Sequence, residues 1–322
     1  MGKWANKQCK YRKIILDFQF LILNYSYLCA TKKRRIMKKY FSLVLFAHTI
    51  FAMPFALMAF VFAYKSEYYN PSLNVWLLLL QVVACMVFAR NVAMGFNRWA
   101  DRKIDAENPR TAGRDIPAGR ITTNQALRFV VINALCFVAV ACTINSLTAW
   151  LSPVALGVVT FYSYCKRFTS LAHLVLGLSL GIAPAGAYIA VTGRLDWPIC
   201  LLSLLVMTWC GGFDIIYALQ DAEFDRRRGL HSIPARFSAR TALGISCALH
   251  GVSIGALCAF VSYCPQGWLL WTGCLLFVGL LLLQHILVTP TRQKNIGIAF
   301  GTLNGLASLT LATFVILDLL LY

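Results

Sequence analysis

Two short acidic motifs stand at the ends of apolar runs in this chain. One is Asn97-x3-Asp101-x3-Asp105, within NRWADRKID, and the other is Asp214-x2-Tyr217-x3-Asp221-x3-Asp225, within DIIYALQDAEFD. Residues four apart on an α-helix advance by about 400°, so Asn97, Asp101 and Asp105 are expected on one face. Asp214, Asp221 and Asp225 are likewise expected to share a face, with Tyr217 nearby. Like charges at this spacing repel, and near a membrane boundary they cost more than in water, so something positive must compensate them. Salt bridges to Arg102, Lys103 and Arg226 to Arg228 are one answer. Oxygen-only ligands on two facing helices suit a hard cation better. Mg2+ favours one or two carboxylates together with waters and phosphate oxygens, so its natural companion here is a diphosphate.

A diphosphate also needs direct cationic contacts. Lys166 and Arg167, in YSYCKRFT, end another apolar run, while Arg114 and Arg236 lie in two loops that echo each other, IPAGR (116–120) and IPARF (233–237). Each echo loop follows one acidic motif, so the motifs read as paired halves of one site. Eight of the twelve Asp and Glu residues fall in these two regions. Taken alone, Lys166 and Arg167 also fit simple anchoring of a membrane segment.

The elements that must position these groups are membrane spans. The chain is 322 residues long and 59% hydrophobic, and its apolar runs repeatedly reach the roughly 20 residues needed to cross a bilayer. Nine spans are predicted, over 41–63, 73–97, 125–145, 148–164, 171–192, 198–219, 240–262, 268–289 and 297–321. The result is an all-α polytopic membrane protein.

The formal net charge of +18 does not point to nucleic acid, because the basic residues fall in alternate loops. Only Lys65 and Arg194 lie on the other side, so the N-terminus and both acidic motifs are expected to face the cytoplasm. Residues 1–36 read as a basic extension containing an interfacial helix, with Met37 the expected native start and residues 37–322 a single domain. The twelve cysteines show no CxxC pairing and read as packing residues. His48 reads as a packing residue, and the other histidines are dispersed.

With these residues in place the chain resembles the UbiA family of intramembrane aromatic prenyltransferases over roughly residues 41–320. The resemblance rests on NxxxDxxxD after span 2, DxxxD after span 6, a YxxxKR element after span 4, and nine spans. It is closest to bacterial 4-hydroxybenzoate polyprenyltransferases and their menaquinone-pathway relatives, through HTIFAMPFAL (48–57), residues 89–120 and LHSIPARF (230–237). The chain departs from the commoner DxxYDxxxD pattern in having Ala218, which leaves Asp214 open as metal ligand or substrate contact.

The resemblance implies a ring of nine helices around a central cavity, roofed by cytoplasmic loops and open laterally to lipid, in the bacterial inner membrane. It implies a polyprenyl diphosphate as donor and an aromatic acceptor such as 4-hydroxybenzoate, with 1,4-dihydroxy-2-naphthoate the alternative. Two Mg2+ ions would be held by Asn97, Asp101 and Asp105 and by Asp221 and Asp225. Lys166, Arg167, Arg114 and Arg236 would hold the diphosphate, while Tyr162 and Tyr217 would face the allylic cation. Asp214 is expected to be the base or to orient the acceptor hydroxyl. A transporter is the main rival class, but its acids belong near the bilayer midplane rather than at helix ends beside basic loops.

Overall fold

Caps fix where the helices begin. The computed structural model describes residues 51–322, so residues 1–36 and His48 lie outside the described residues, as does most of the first expected span. The first described helix, α1 (Met53–Tyr64), opens with Pro54 in its first turn, where a missing N–H costs nothing. Asn74 caps α2 (Val75–Ala100) by accepting from Trp76 and Leu77 N–H at 3.1 and 3.2 Å. The short α3 (Arg102–Glu107) follows directly. Thr122 and Gln125 form a reciprocal capping box at the start of α4 (Thr123–Cys142). Asn145 caps α5 (Ser146–Cys165) and also donates to the Ile189 carbonyl at 2.9 Å, tying that end to a neighbouring helix.

The neighbour is α6 (Ala172–Thr192), which ends on Gly193 at φ +70°, a conformation that favours glycine. It is followed by α7 (Trp197–Ala218), a 3-10 turn (Leu219–Asp221) and α8 (Ala222–Arg228). Next come α9 (Ile233–Arg236), α10 (Ala239–Val261) and α11 (Trp268–Leu287), then a π-helical segment (Ile298–Leu303) that runs into α12 (Asn304–Leu321).

Eight of the described helical segments are long and apolar enough to cross a membrane. With α1 they make nine apolar helices, and the expected spans from 73 onward recur with ends shifted by a few residues. The spans alternate in direction, so both acidic motifs, the YxxxKR end of α5 and the start of α6 lie on one face. The opposite ends of α2, α5, α7 and α11 carry Trp76, Trp150, Trp197 and Trp268, each at least 66% exposed. That is the aromatic belt of a bilayer interface.

The core is aromatic and sits where α1, α7, α10, α11 and α12 meet. Trp209 is fully buried, with Phe55, Phe213 and Phe277 rings 5.0–5.9 Å away. Helices α6 and α7 approach at backbone distance. A Cβ on Gly177 would stand 2.1 Å from the Met207 carbonyl oxygen, and one on Gly181 would stand 2.8 Å from that of Ser203. Small residues spaced by four allow such contact between membrane helices.

Candidate active site

The first motif keeps its helical register through a break. Although α2 ends at Ala100, the Asp101 N–H still donates to the Asn97 carbonyl at 2.9 Å, and the Asp105 N–H to the Asp101 carbonyl at 2.7 Å. Asn97, Asp101 and Asp105 therefore stay on one face, as expected. The second motif does not form one continuous α-helical face. The 3-10 turn falls between Tyr217 and Asp225, changing the angular step just where Asp221 leaves the helix.

Every acid of the two motifs is met by a base. Arg167 donates to Asp101 at 3.1 Å and to the Ala100 carbonyl at 2.8 Å, and Asn97 donates to the second oxygen of Asp101 at 3.0 Å. Arg114 donates to Asp105 at 2.5 Å. Arg110 grips Asp221 with two nitrogens, its Nε lying 2.8 Å from Oδ1, and Asn108 donates to the same oxygen at 3.0 Å. Lys166 Nζ stands 3.9 Å from Asp225 Oδ2. The loop after the first motif is thus bonded to the second motif, as a single site requires.

Tyr217 accepts from Arg110 at 2.7 Å and stacks on Phe300 with ring centroids 4.1 Å apart. Phe300 lies in the π-helical segment, whose turn is stabilised by Asn304 donating to the Ala299 and Phe300 carbonyls. Asp214 pairs with His173 at 2.6 Å. The loop before α9 closes over this end: His231 N–H donates to the Lys166 carbonyl at 2.6 Å.

The charges respond to this setting. Burial works against the Lys166 cation, yet the fields of Asp225, Asp214, Asp221 and Asp101 outweigh it and raise the Lys166 pKa above its ordinary value. Lys166 therefore stands in the electrostatic field of both motifs, in contact with Asp225. Burial also works against Arg110, but its bonds to Asp221 and Tyr217 raise its pKa. Asp101 is shifted upward by burial, against the hydrogen bond from Arg167.

An apolar cavity of about 140 Å³ lies between α2, α4, α5 and α6. Val82, Met86, Phe137, Leu156, Leu180 and Ala183 line it, with Arg90 and Tyr162 among its few polar walls. Tyr162 thus belongs to the cavity wall, four residues before Lys166. Arg236 is exposed, its guanidinium 5.6 Å over the Phe237 ring, and it joins none of the ion pairs.

Among the described residues no three His, Cys, Asp or Glu side chains converge on one metal position. A Mg2+ site does not require that, since one or two carboxylates per ion suffice when phosphate oxygens and waters complete the shell. Each motif offers such a partial set. Asp105 and Asp225 are 4% and 3% exposed, and each has a buried Oδ2 that accepts no hydrogen bond, that of Asp225 having the Lys166 ammonium at 3.9 Å. Buried carboxylate oxygens are rarely left unpaired, and oxygen-only donors suit a hard divalent cation, so the residues fit the ion.

Sequence reasoning missed Arg110, Asn108, His173, Arg90 and Arg98. Arg90 and Arg98 carried a signal nonetheless, as arginines inside an apolar span. Arg98 is 7% exposed, and Arg90 Nε is buried without a hydrogen-bond partner.

Residues 52–312 match the UbiA prenyltransferase family. The helical ring and the paired motifs define an intramembrane protein of that class, and the chain belongs to the family. Among curated relatives, the 4-hydroxybenzoate octaprenyltransferase of Tolumonas auensis is 33% identical over 219 residues, 68% of this chain and 76% of that protein. The protein so described from Serratia proteamaculans is 30% identical over 227 residues, 70% and 76% of the two chains. For the Aliivibrio fischeri (strain MJ11) protein the match is 33% over 162 residues, 50% of this chain, and spans little more than half of the relative's length, 56%. A solved UbiA homolog from Aeropyrum pernix K1 superposes with TM-score 0.74 at 29% identity, covering 84% of this chain and 98% of that one. One from Archaeoglobus fulgidus, described as bound to GPP and Mg2+, shares the fold with TM-score 0.63 at 18% identity, covering 84% and 99%.

Proposed function

We propose that this protein transfers a polyprenyl group from a polyprenyl diphosphate to an aromatic acid of the 4-hydroxybenzoate class. The proposed setting is quinone biosynthesis in a bacterial inner membrane, with the site facing the cytoplasm. The observation that carries the reading is the set of four acid–base pairs joining both motifs at one end of the bundle. Such pairs can trade partners without leaving a buried charge uncompensated. A diphosphate takes the cations Arg114, Arg167, Lys166 and Arg110, which frees the carboxylates for metal. Arg236, exposed as it is, is proposed as an outer contact for the same group.

Asn97, Asp101 and Asp105 on one side and Asp221 and Asp225 on the other would hold two Mg2+ ions, which when bound neutralise charge on the departing diphosphate. The isoprenoid tail lies in the apolar cavity. As the allylic C–O bond breaks, its electron pair leaves with the diphosphate, and the allylic cation is stabilised by the ring face of Tyr162 and by that of Tyr217, which Arg110 uncovers when it moves onto the diphosphate. The acceptor's ring carbon then bonds to that cation. Asp214 takes the phenolic proton as this bond forms and returns it once the ring proton has passed to the released diphosphate.

Arg90 supports an acidic acceptor. A cation inside an apolar span, with no acid bonded to it among the described residues, marks a binding position for an anion on an apolar body. Names and ligands of the relatives agree, since one neighbour is described as binding GPP and Mg2+ and several are 4-hydroxybenzoate octaprenyltransferases.

The test supplies purified protein with geranyl diphosphate, Mg2+ and a panel that includes 4-hydroxybenzoate and 1,4-dihydroxy-2-naphthoate. Mass spectrometry is expected to find a prenylated hydroxybenzoate that disappears with EDTA or Asp101→Asn. Failure of every acceptor, with diphosphate binding intact, would overturn the reading.

A further inference from the structure

His173 is the second residue of α6 and its side chain is fully buried. Its position follows from the glycine face already described, because His173, Gly177 and Gly181 recur every four residues on the helix surface turned to α7. Where two helices touch at backbone distance, a side chain one turn beyond the contact is pressed against the partner helix. The residue it meets is Asp214.

Both ring nitrogens of His173 are engaged. Nε2 accepts the Ile233 backbone N–H at 3.3 Å, and Nδ1 lies 2.6 Å from Asp214 Oδ2. A nitrogen that accepts from an N–H carries no proton of its own, so the proton sits on Nδ1 and is donated to the carboxylate. One backbone N–H, in the loop that closes over the site, thereby selects the tautomer. Asp214 is 17% exposed at its side chain, and its Oδ1 accepts no hydrogen bond among the described residues. The carboxylate is clamped by one oxygen and open by the other.

We propose that His173 is a positioning residue for the prenyl transfer: it holds Asp214 by Oδ2 so that Oδ1 faces the acceptor's hydroxyl. The inference rests on the proposed role of Asp214 toward the acceptor. It separates two functions within the second motif. Asp221 and Asp225 belong to the diphosphate end, while Asp214 and His173 serve the acceptor.

Two substitutions separate positioning from packing. His173→Gln keeps both bonds, its amide N–H donating to Asp214 and its carbonyl accepting from Ile233, whereas His173→Leu keeps the bulk and loses both. His173→Leu is expected to lower kcat about 100-fold, the scale of a displaced general base, with KM for geranyl diphosphate unchanged. His173→Gln is expected to restore kcat to within about tenfold of the wild type. Melting temperatures identify any variant that has not folded. Wild-type turnover in His173→Leu, or a folded His173→Gln as impaired as His173→Leu, overturns the proposal. An arm independent of turnover uses protein labelled with 15N-histidine, in which His173 should appear protonated on Nδ1 alone. Protonation on Nε2 also overturns the proposal. Should the wild type prenylate no acceptor, the functional reading fails separately, and the tautomer still decides whether the clamp exists.

Discussion

Arg110 carries more of the site than its place in the sequence suggests. Its guanidinium holds both oxygens of Asp221, its third nitrogen reaches the Tyr217 hydroxyl, and its Cζ lies over the Tyr217 ring, 5.1 Å from the centroid. A lysine keeps the charge but cannot reproduce that fork. Arg110→Lys is therefore expected to raise KM for the prenyl diphosphate roughly tenfold, equivalent to about 1.4 kcal/mol, as read by steady-state kinetics in detergent. An unchanged KM would show that charge alone is required. The carboxylates of both motifs were legible in the sequence because their spacing is local and acids are scarce in this chain. Arg110 and His173 were not, because their partners stand 111 and 41 residues away and no local pattern announces either pairing. Arg236 shows the converse: the echo between IPAGR and IPARF was visible, yet its arginine turns outward onto Phe237.

At the scale of elements, the glycine contact between α6 and α7 sets the distance between His173 and Asp214. Gly177→Ala places a methyl 2.1 Å from a carbonyl oxygen, so the helices must part. The expected cost is about 1–3 kcal/mol of stability, read as a lowered melting temperature, together with a fall in kcat that Gly251→Ala, facing open space on α10 away from the cavity, does not share. The π-helical segment makes a second such device. Asn304 is fully buried, accepting from Trp209 at 3.1 Å and Gln284 at 2.6 Å while donating into the π turn. Asn304→Leu leaves those donors unpaired, at about 1–3 kcal/mol for each buried group. It should also loosen Phe300 from Tyr217, which faces the allylic cation, so a melting curve and kcat are expected to move together. Helix positions were readable from apolar run length, whereas the 3-10 turn and the π segment were not. Both depend on what the side chains reach across the bundle, not on the propensity of the residues that form them.

For the whole molecule, charge and aromatic rings give the same axis. Among the described residues, the ends of the spans that carry the motifs also carry nearly all loop arginines and lysines, while the opposite loops hold only Lys65 and Arg194. The five exposed tryptophans among the described residues, Trp76, Trp150, Trp197, Trp268 and Trp271, stand at or within a turn or so of those opposite ends. Basic loops are retained on the cytoplasmic side during insertion, so the diphosphate site is expected to open toward the cytoplasm, where prenyl diphosphates and free Mg2+ are supplied. Two exposed arginines test this. Arg227 sits on α8 beside the second motif with its side chain 75% exposed, and Arg194 lies in the loop after α6 with its side chain 50% exposed. In a background cleared of the native cysteines, Arg194→Cys should react with a membrane-impermeant maleimide in intact cells. Arg227→Cys should react only once the membrane is opened. The reverse pattern would place the acid–base pairs outside the cell and force the donor to cross the bilayer before reacting. The site chemistry would survive that result, but its supply of substrate would not.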